Sequence, residues 1–286
     1  MKIDVIGAGS MGIVLSYFLH KKHDVVLTVK HGERKLYESG LALIDRGMEE
    51  KFSVGISERT EESDITVIAV KSYDLESVYR DYNLEGNVIL IQNGLSHMRM
   101  EKNGVNKIYA VTTWGARKVS KGVAELTGRG YFRLGSHSGR IDINFLRDSG
   151  INAEWVEDID EELYRKAAIN AVINPITAIY RVKNGRVANN RDLWAIASDA
   201  IGELEELFSK LGYHLEIEKN VLETCRVTAD NTSSMLQDVQ QGRRSEIDSI
   251  TGEIITLGRE HGLEMRVNNS LYNSVKSLQS GGQYHG

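Results

Sequence analysis

The sequence predicts an α/β fold in two parts: a parallel-sheet domain over residues 1–160, then an all-helical domain over residues 161–286. Three observations predict it. Short apolar runs alternate with helical stretches through the first half, the pattern of a parallel sheet covered by helices. A glycine cluster, Gly7-Ala8-Gly9-Ser10-Met11-Gly12, falls between the first apolar run and the first helical stretch. Beyond Ile159 apolar residues recur at helical spacing almost to the end.

Taken in order, Ile3–Ile6 reads as the first strand and Met11–His20 as the helix after the glycines. Asp24–Val29 is the second strand. Asp64–Val70 is a continuous apolar run, as expected of a strand buried on both faces, and Asn87–Ile91 and Lys107–Val111 repeat that character. From Gly122 to Glu157 the strands shorten and turn residues intervene, which reads as an antiparallel edge or extension. Helices follow at Glu161–Tyr180, Arg191–Leu211, Val221–Asp230 and Ser245–His261. Gly212 and Gly262 stop the second and the last of these. The tail Ser280–Gly286 reads as frayed.

Composition narrows the function. With 286 residues, 41% hydrophobic and 26% charged, the chain can bury a core at ordinary globular values. A net charge of -5 argues against nucleic acid as a partner, since that needs a basic face. No apolar run is long enough to span a bilayer, so no membrane partner is expected. Met1-Lys2 leads into a short apolar run holding Asp4, which does not read as a signal peptide. The single cysteine, Cys225, excludes an internal disulfide and fits a reducing, cytoplasmic setting. The eight histidines lack metal-ligand spacing, so no metal site is expected.

The glycine cluster fits G-x-G-x-x-G between a strand and a helix, the context of a Rossmann-type dinucleotide-binding domain. Gly7 permits the tight turn and Gly9 lets the pyrophosphate approach the backbone. Gly12 lets the helix pack on the strand, while the N–H groups around Ser10 and Met11 face the phosphates. The end of the second strand then selects the cofactor. An acid there would bond a ribose 2′-hydroxyl, but the chain reads Thr28-Val29-Lys30-His31, and a basic residue accepts a 2′-phosphate. Lys30 therefore favours NADP(H), with NAD(H) left open; the competing reading is a solvated loop lysine. Lys71 closes the next buried strand, on the sheet edge where ligands bind, and is a further cofactor contact on that ground.

In the second half, Lys166, Asn170 and Asn174 stand at i, i+4 and i+8 of an otherwise apolar helix. Asparagine is a poor helix former and costly to bury unpaired, so the three suggest a polar wall. Pro175, the only proline, should kink or break the helix and free Asn174 or its carbonyl for a ligand. Asn231–Asp238 is a polar run of the kind that caps helices. After it, Glu246 lies along the edge of the stripe Ile247, Ile250, Ile254 and Leu257, whereas Asp248 points further away. By base rate a glutamate in such a place is a surface residue.

Together these residues resemble the ketopantoate reductase (2-dehydropantoate 2-reductase) family over nearly the whole length. The resemblance rests on Gly7-x-Gly9-x-x-Gly12, Lys71-x-Tyr73-Asp74, Gln92-Asn93-Gly94 and Thr112-Thr113. It continues through Lys166-x-x-x-Asn170-x-x-x-Asn174-Pro175-x-Thr177-Ala178, Ser233–Asp238 and Glu246-Ile247-Asp248. It implies NADPH-dependent reduction of ketopantoate to (R)-pantoate, a precursor of pantothenate and coenzyme A. Lys166 would be the general acid that protonates the ketone oxygen, and Glu246 would help hold the substrate's hydroxyl. Asn93, Asn170, Asn174 and Ser234 would orient the substrate and the nicotinamide ribose. An ordinary lysine has a pKa near 10.4, so burial or cationic neighbours would have to bring Lys166 closer to neutrality. The chain departs from the family where it reads Met265-Arg266-Val267-Asn268, without the usual proline before Asn268, a further substrate contact.

Two other readings stay open: a related dehydrogenase acting on another 2-keto acid, and a non-catalytic NADP(H)-sensing regulator. The second has no use for Lys166 and Glu246 together. The expected partner is a small-molecule substrate, bound in a cleft between the domains, and a homodimer is left open.

Overall fold

The structure is a computed structural model describing residues 1–280, and the chain folds as two units. Residues 1–92 and 100–159 form the first, and residues 93–99 with those from 160 onward form the second. Most of the tail expected to fray lies outside the described residues; Ser280 itself ends a helix.

The first unit opens with β1 (Lys2–Ile6), α1 (Ser10–Leu19), β2 (Asp24–Thr28), β3 (Leu41–Asp45), β4 (Met48–Phe52) and β5 (Gly55–Ser57). It continues with β6 (Ile65–Ile68), α2 (Leu75–Asp81), β7 (Gly86–Leu90), β8 (Val105–Thr112) and β9 (Gly115–Ser120). β10 (Val123–Gly128), β11 (Phe132–Gly135), α3 (Asn144–Asp148) and β12 (Ala153–Trp155) complete it. Among the described residues the main sheet runs β12-β11-β8-β7-β6-β1-β2-β5. From β5 to β8 every pairing is parallel. Numbered among themselves, these six strands lie third, second, first, fourth, fifth, sixth, the doubly wound Rossmann order. The order reverses between β1 and β6, beside the glycine loop that leaves β1.

The antiparallel extension expected after Gly122 divides in two. β11 runs antiparallel to β8 on the main sheet, and β12 then pairs with β11 in parallel. β9 and β10 belong to a second sheet, β4-β3-β10-β9, which local sequence patterns do not predict. Its β3–β4 hairpin turns at Arg46-Gly47, both at positive φ. Helix α1 is the shared filling. Its residues Ile13, Val14, Leu15, Tyr17, Phe18 and Leu19 are buried in one cluster with Ile3 and Val5 of the main sheet and Leu41, Leu43, Phe52, Ala124 and Leu126 of the small one. An element covered on two sides must be apolar all round, which is why α1 has no polar face.

The second unit is helical: α4 (Ile159–Tyr180), α5 (Gly185–Asn189), α6 (Arg191–Lys210), α7 (Ile217–Val227), α8 (Ser234–Gln240), α9 (Glu253–Glu260) and α10 (Arg266–Ser280). Among the described residues no helix is long and apolar enough to cross a membrane. Asn190 caps α6, its side chain accepting the N–H groups of Asp192 and Leu193 at 3.0 Å each. Glu203 caps α10 in the same way, taking the N–H groups of Val267 at 2.8 Å and Asn268 at 3.0 Å.

Contrary to expectation, α4 does not break at Pro175. Residues 171–178 are all buried, so packing on every side holds the helix through the missing donor. The Thr177 hydroxyl, 2.8 Å from the carbonyl of Ile173 and 3.0 Å from that of Asn174, occupies carbonyls beside the proline. The carbonyl of Asn174 is therefore engaged inside the helix.

Asp4 sits inside the parallel sheet at 1% exposure. Thr28 Oγ1 donates to its Oδ1 at 2.7 Å, and its Oδ2 is buried without a partner. Burial pushes its carboxyl up to about 6, against that hydrogen bond. A carboxyl raised above its unfolded value favours the folded state only while protonated, so its contribution is lost as pH rises through that value. Urea denaturation of the wild type and Asp4→Asn checks this. From pH 4 to pH 7.5 the variant should gain roughly 2–3 kcal/mol relative to the wild type, the size of a two-unit shift; a pH-independent difference would refute it.

Candidate active site

In the sheet unit, the residues expected to hold a dinucleotide gather at the carboxyl ends of β1, β2 and β6. Gly7 extends the ladder, its N–H donating to the carbonyl of Thr28 at 2.8 Å. In the first turn of α1, a Cβ added to Gly12 would stand 1.9 Å from the carbonyl oxygen of Gly7. Only glycine permits that approach, and it seats the helix directly on the loop. Gly9 precedes the helix, exposed and with no side-chain cap over the first N–H groups; the first turn carries no acid. An added Cβ on Gly9 would meet only the Ala69 carbonyl, at 3.6 Å. Gly9, Ser10 and Met11 thus present open backbone at a helix start, the cradle a pyrophosphate requires, and the residues fit such a group.

Lys30 lies two residues beyond β2 with its side chain 66% exposed, and its Nζ is 3.4 Å from Asp74 Oδ1. Its neighbours are matched similarly, His31 with Glu58 at 3.0 Å and Arg34 with Glu38 at 2.9 Å. Lys71 is half-buried just after β6, where it precedes the short turn Ser72–Asp74. Gln92 ties two strand ends, donating from Nε2 to the carbonyl of Ile68 at 2.8 Å, with that of Val70 at 3.2 Å. Its Oε1 is buried without a partner.

The helical unit carries the titratable groups. Along α4 burial deepens from Lys166 and Asn170, both half-buried, to Asn174, buried at 6% exposure. Burial brings the Lys166 ammonium down to about 8, while the carboxylate of Glu246 acts to raise it. Desolvation is thus the larger effect, and it wins over the counter-ion. Further along, the Thr177 hydroxyl reaches Ser233 Oγ at 2.7 Å, and Ser233 caps α8 by accepting the N–H of Leu236 at 3.1 Å.

Glu246 is 7% exposed, not the surface residue its type suggests. It stands just before the helical stretch that runs through α9, which starts at Ile247 rather than at Ser245 as the sequence pattern implies. Its Oε2 accepts the side-chain N–H of Asn93 at 3.1 Å. Asn93 begins the seven-residue segment that groups with the helices. The next residue, Gly94, has φ +87, and a Cβ there would be 2.1 Å from the carbonyl oxygen of Ser249. Leu95 donates its N–H to that same oxygen at 2.7 Å.

The remaining candidates have these surroundings. Ser234 is the exposed first residue of α8, and its neighbour Ser233 makes the buried contact to α4. Asn268 is fully buried as part of the α10 cap, its Nδ2 donating to Glu203 at 2.8 Å and to the carbonyl of Ala200 at 3.1 Å. That amide nitrogen serves the α10 cap, and its Oδ1 is buried without a partner. Asp248 faces α10, accepting from Tyr272 at 2.8 Å and Lys276 at 2.9 Å. Ser233 could have been found from its N-cap position. Ser249 carries no sequence signal at all.

Chemically, a lysine poised near 8 beside a carboxylate that is itself oriented by an amide can give a proton to a developing alkoxide. Asn170 and Asn174 stand on the same helix and add amide groups one and two turns away.

Residues 3–139 match the family described as Ketopantoate reductase PanE/ApbA, and residues 158–279 match its C-terminal part. The chain is 33% identical to the 2-dehydropantoate 2-reductase of Archaeoglobus fulgidus, over 98% of each sequence. Among solved structures it is similar to a probable 2-dehydropantoate 2-reductase from Bacillus subtilis, 26% identical with a TM-score of 0.86, covering 97% of this chain and 100% of that one. The fold is shared with a D-mandelate dehydrogenase solved with NADH and anilino(oxo)acetate, 23% identical with a TM-score of 0.90, covering 98% of this chain and 99% of that one. On sequence and fold together, this chain is a member of the ketopantoate reductase (2-dehydropantoate 2-reductase) family.

Proposed function

We propose that this protein reduces 2-dehydropantoate (ketopantoate) to (R)-pantoate with NADPH, with NADH as a weaker alternative. In this reading residues 1–160 carry the dinucleotide and residues 161–286 the keto acid. The observation that carries it is the half-buried Lys166, brought down to about 8 with Glu246 opposing, within the family that the comparisons establish. Gly7, Gly9, Ser10, Met11 and Gly12 would hold the pyrophosphate, Lys30 the 2′-phosphate, and Lys71 and Asn93 other parts of the nucleotide. The bound cofactor supplies the hydride.

The chain's own residues do the rest. As the carbonyl carbon is reduced, its oxygen becomes basic, and the Lys166 ammonium transfers a proton from Nζ to it. Glu246 keeps that ammonium charged in a poorly solvated place and accepts a hydrogen bond from the substrate's hydroxyl. Asn93, already bonded to Glu246 at 3.1 Å, orients the carboxylate. Asn170, Asn174 and Ser234 are assigned the remaining polar contacts to substrate and ribose.

The deciding experiment follows NADPH oxidation on adding ketopantoate. Turnover is expected, and Lys166→Ala should lower kcat by about 10²- to 10⁴-fold, the usual worth of a positioned acid. Turnover only with a different 2-keto acid would move the substrate. Tight NADPH binding with no reduction of any keto acid would favour the sensing regulator.

Because the proton donor must be charged, kcat/KM for reduction should fall as pH rises through about 8. In Glu246→Gln the midpoint should move to lower pH, since the group that raises the lysine is gone. A midpoint that stays put or rises would separate Glu246 from Lys166.

Lys30→Ala should weaken NADPH binding about three- to tenfold, less than a buried charged hydrogen bond because the site is exposed, and leave NADH unchanged. Calorimetric titration with both nucleotides checks it; equal losses for both would remove Lys30 from the 2′-phosphate.

A further inference from the structure

The helical stretch after Glu246 is not regular. Between Asp248 and Gly252 it widens into a π-helical turn, and the N–H of Glu253 reaches back to the carbonyls of Asp248 and Ile250. In an α-helix that N–H would bond the carbonyl of Ser249. The wider turn passes over it, and Ser249's carbonyl accepts the N–H of Leu95 instead, at 2.7 Å. The Ser249 hydroxyl adds two contacts, 3.2 Å from the carbonyl of Asn93 and 3.0 Å from that of Glu246. It therefore lies between the backbones of the two residues whose side chains meet at 3.1 Å. Gly94 completes the fit, since any side chain there would collide with Ser249's carbonyl oxygen.

On the opposite flank Asp248 fastens the same turn to α10. Its carboxylate takes Lys276 Nζ at 2.9 and 3.1 Å and Tyr272 Oη at 2.8 Å, with Arg244 at 3.1 Å on its own stretch. The turn is held on both sides, as a positioning element must be. Inserted π-turns often occur at functional sites because they redirect backbone groups that a regular helix would consume.

We propose that the π-turn, acting through Ser249, is the device that holds Asn93 on Glu246, and that Ser249 is a positioning residue for the reduction. The proposal rests on the reading of Asn93 and Glu246 as substrate-facing groups. Its test is arranged so that the two can fail separately.

The full-length protein is labelled with 15N-asparagine, and the side-chain amide signal of Asn93 is identified by its loss in Asn93→Asp. Ser249→Ala should shift that signal in the same direction as Glu246→Gln does, whereas Ser249→Thr, which keeps the hydroxyl, should leave it near its wild-type position. In steady-state assays Ser249→Ala should raise KM for the keto acid about three- to tenfold, the loss expected for one hydrogen bond. Its kcat should stay within about twofold, and Ser249→Thr should restore KM. An unshifted Asn93 signal in Ser249→Ala would overturn the proposal. So would a uniform fall in melting temperature, NADPH affinity and activity that Ser249→Thr does not repair. If the wild type reduces no keto acid, the functional reading fails, and the amide signal alone decides whether Ser249 holds the pair.

Discussion

A carboxylate removed from water must be met by hydrogen bonds or a counter-charge, and that constraint at Glu246 organises the helical unit. At 7% exposure it is too buried to be satisfied by solvent alone. Asn93 supplies a donor from a segment distant in sequence, and Lys166 supplies the charge. Each solution creates a further demand. Asn93 must be brought among the helices, so residues 93–99 leave the sheet unit. That excursion must be anchored, which Ser249, Gly94 and the pairing of Arg99 with Glu253 and Glu260 accomplish. The lysine in turn loses solvation and becomes easier to deprotonate, which suits a proton donor at neutral pH.

The sheet unit is governed by close backbone approach rather than by charge. The start of α1 must touch the loop that leaves β1, which limits Gly12 to a residue without Cβ. With that contact made, α1 is trapped between two sheets, and its apolar character follows. The open N–H groups at its start are a by-product of the same geometry, and the reason an anionic group is expected there. The lysine, histidine and arginine after β2 are each balanced by a nearby acid, so the loop is not a strong unneutralised cationic patch.

The long helix α4 shows how packing overrides local preference. Pro175 should interrupt it, yet the helix runs on through residues 171–178, all of them buried. The Thr177 hydroxyl meets Ser233 and so ties α4 to the cap of α8. Asn170 and Asn174 thereby keep the helical spacing from Lys166 that makes one polar face.

Much of this was legible in the order of residues. The parallel strands, the glycine loop, the helical second half and the polar stripe of α4 follow from local periodicity and from spacing within one element, and such patterns are written directly into a chain. The burial of Glu246, the π-turn and the structural use of Asn268 were not legible. The first two depend on Asn93 and Ser249 meeting across more than 150 positions, and the third on Asn268 meeting Glu203 across 65. The small second sheet escaped for a similar reason, since β3 pairs with β10 far along the chain. Sequence alone determined the parallel strands, the glycine loop and the helical character of the second half. Tertiary structure decided which polar groups are desolvated together, because the free energy of a buried charge depends on neighbours that only folding brings near.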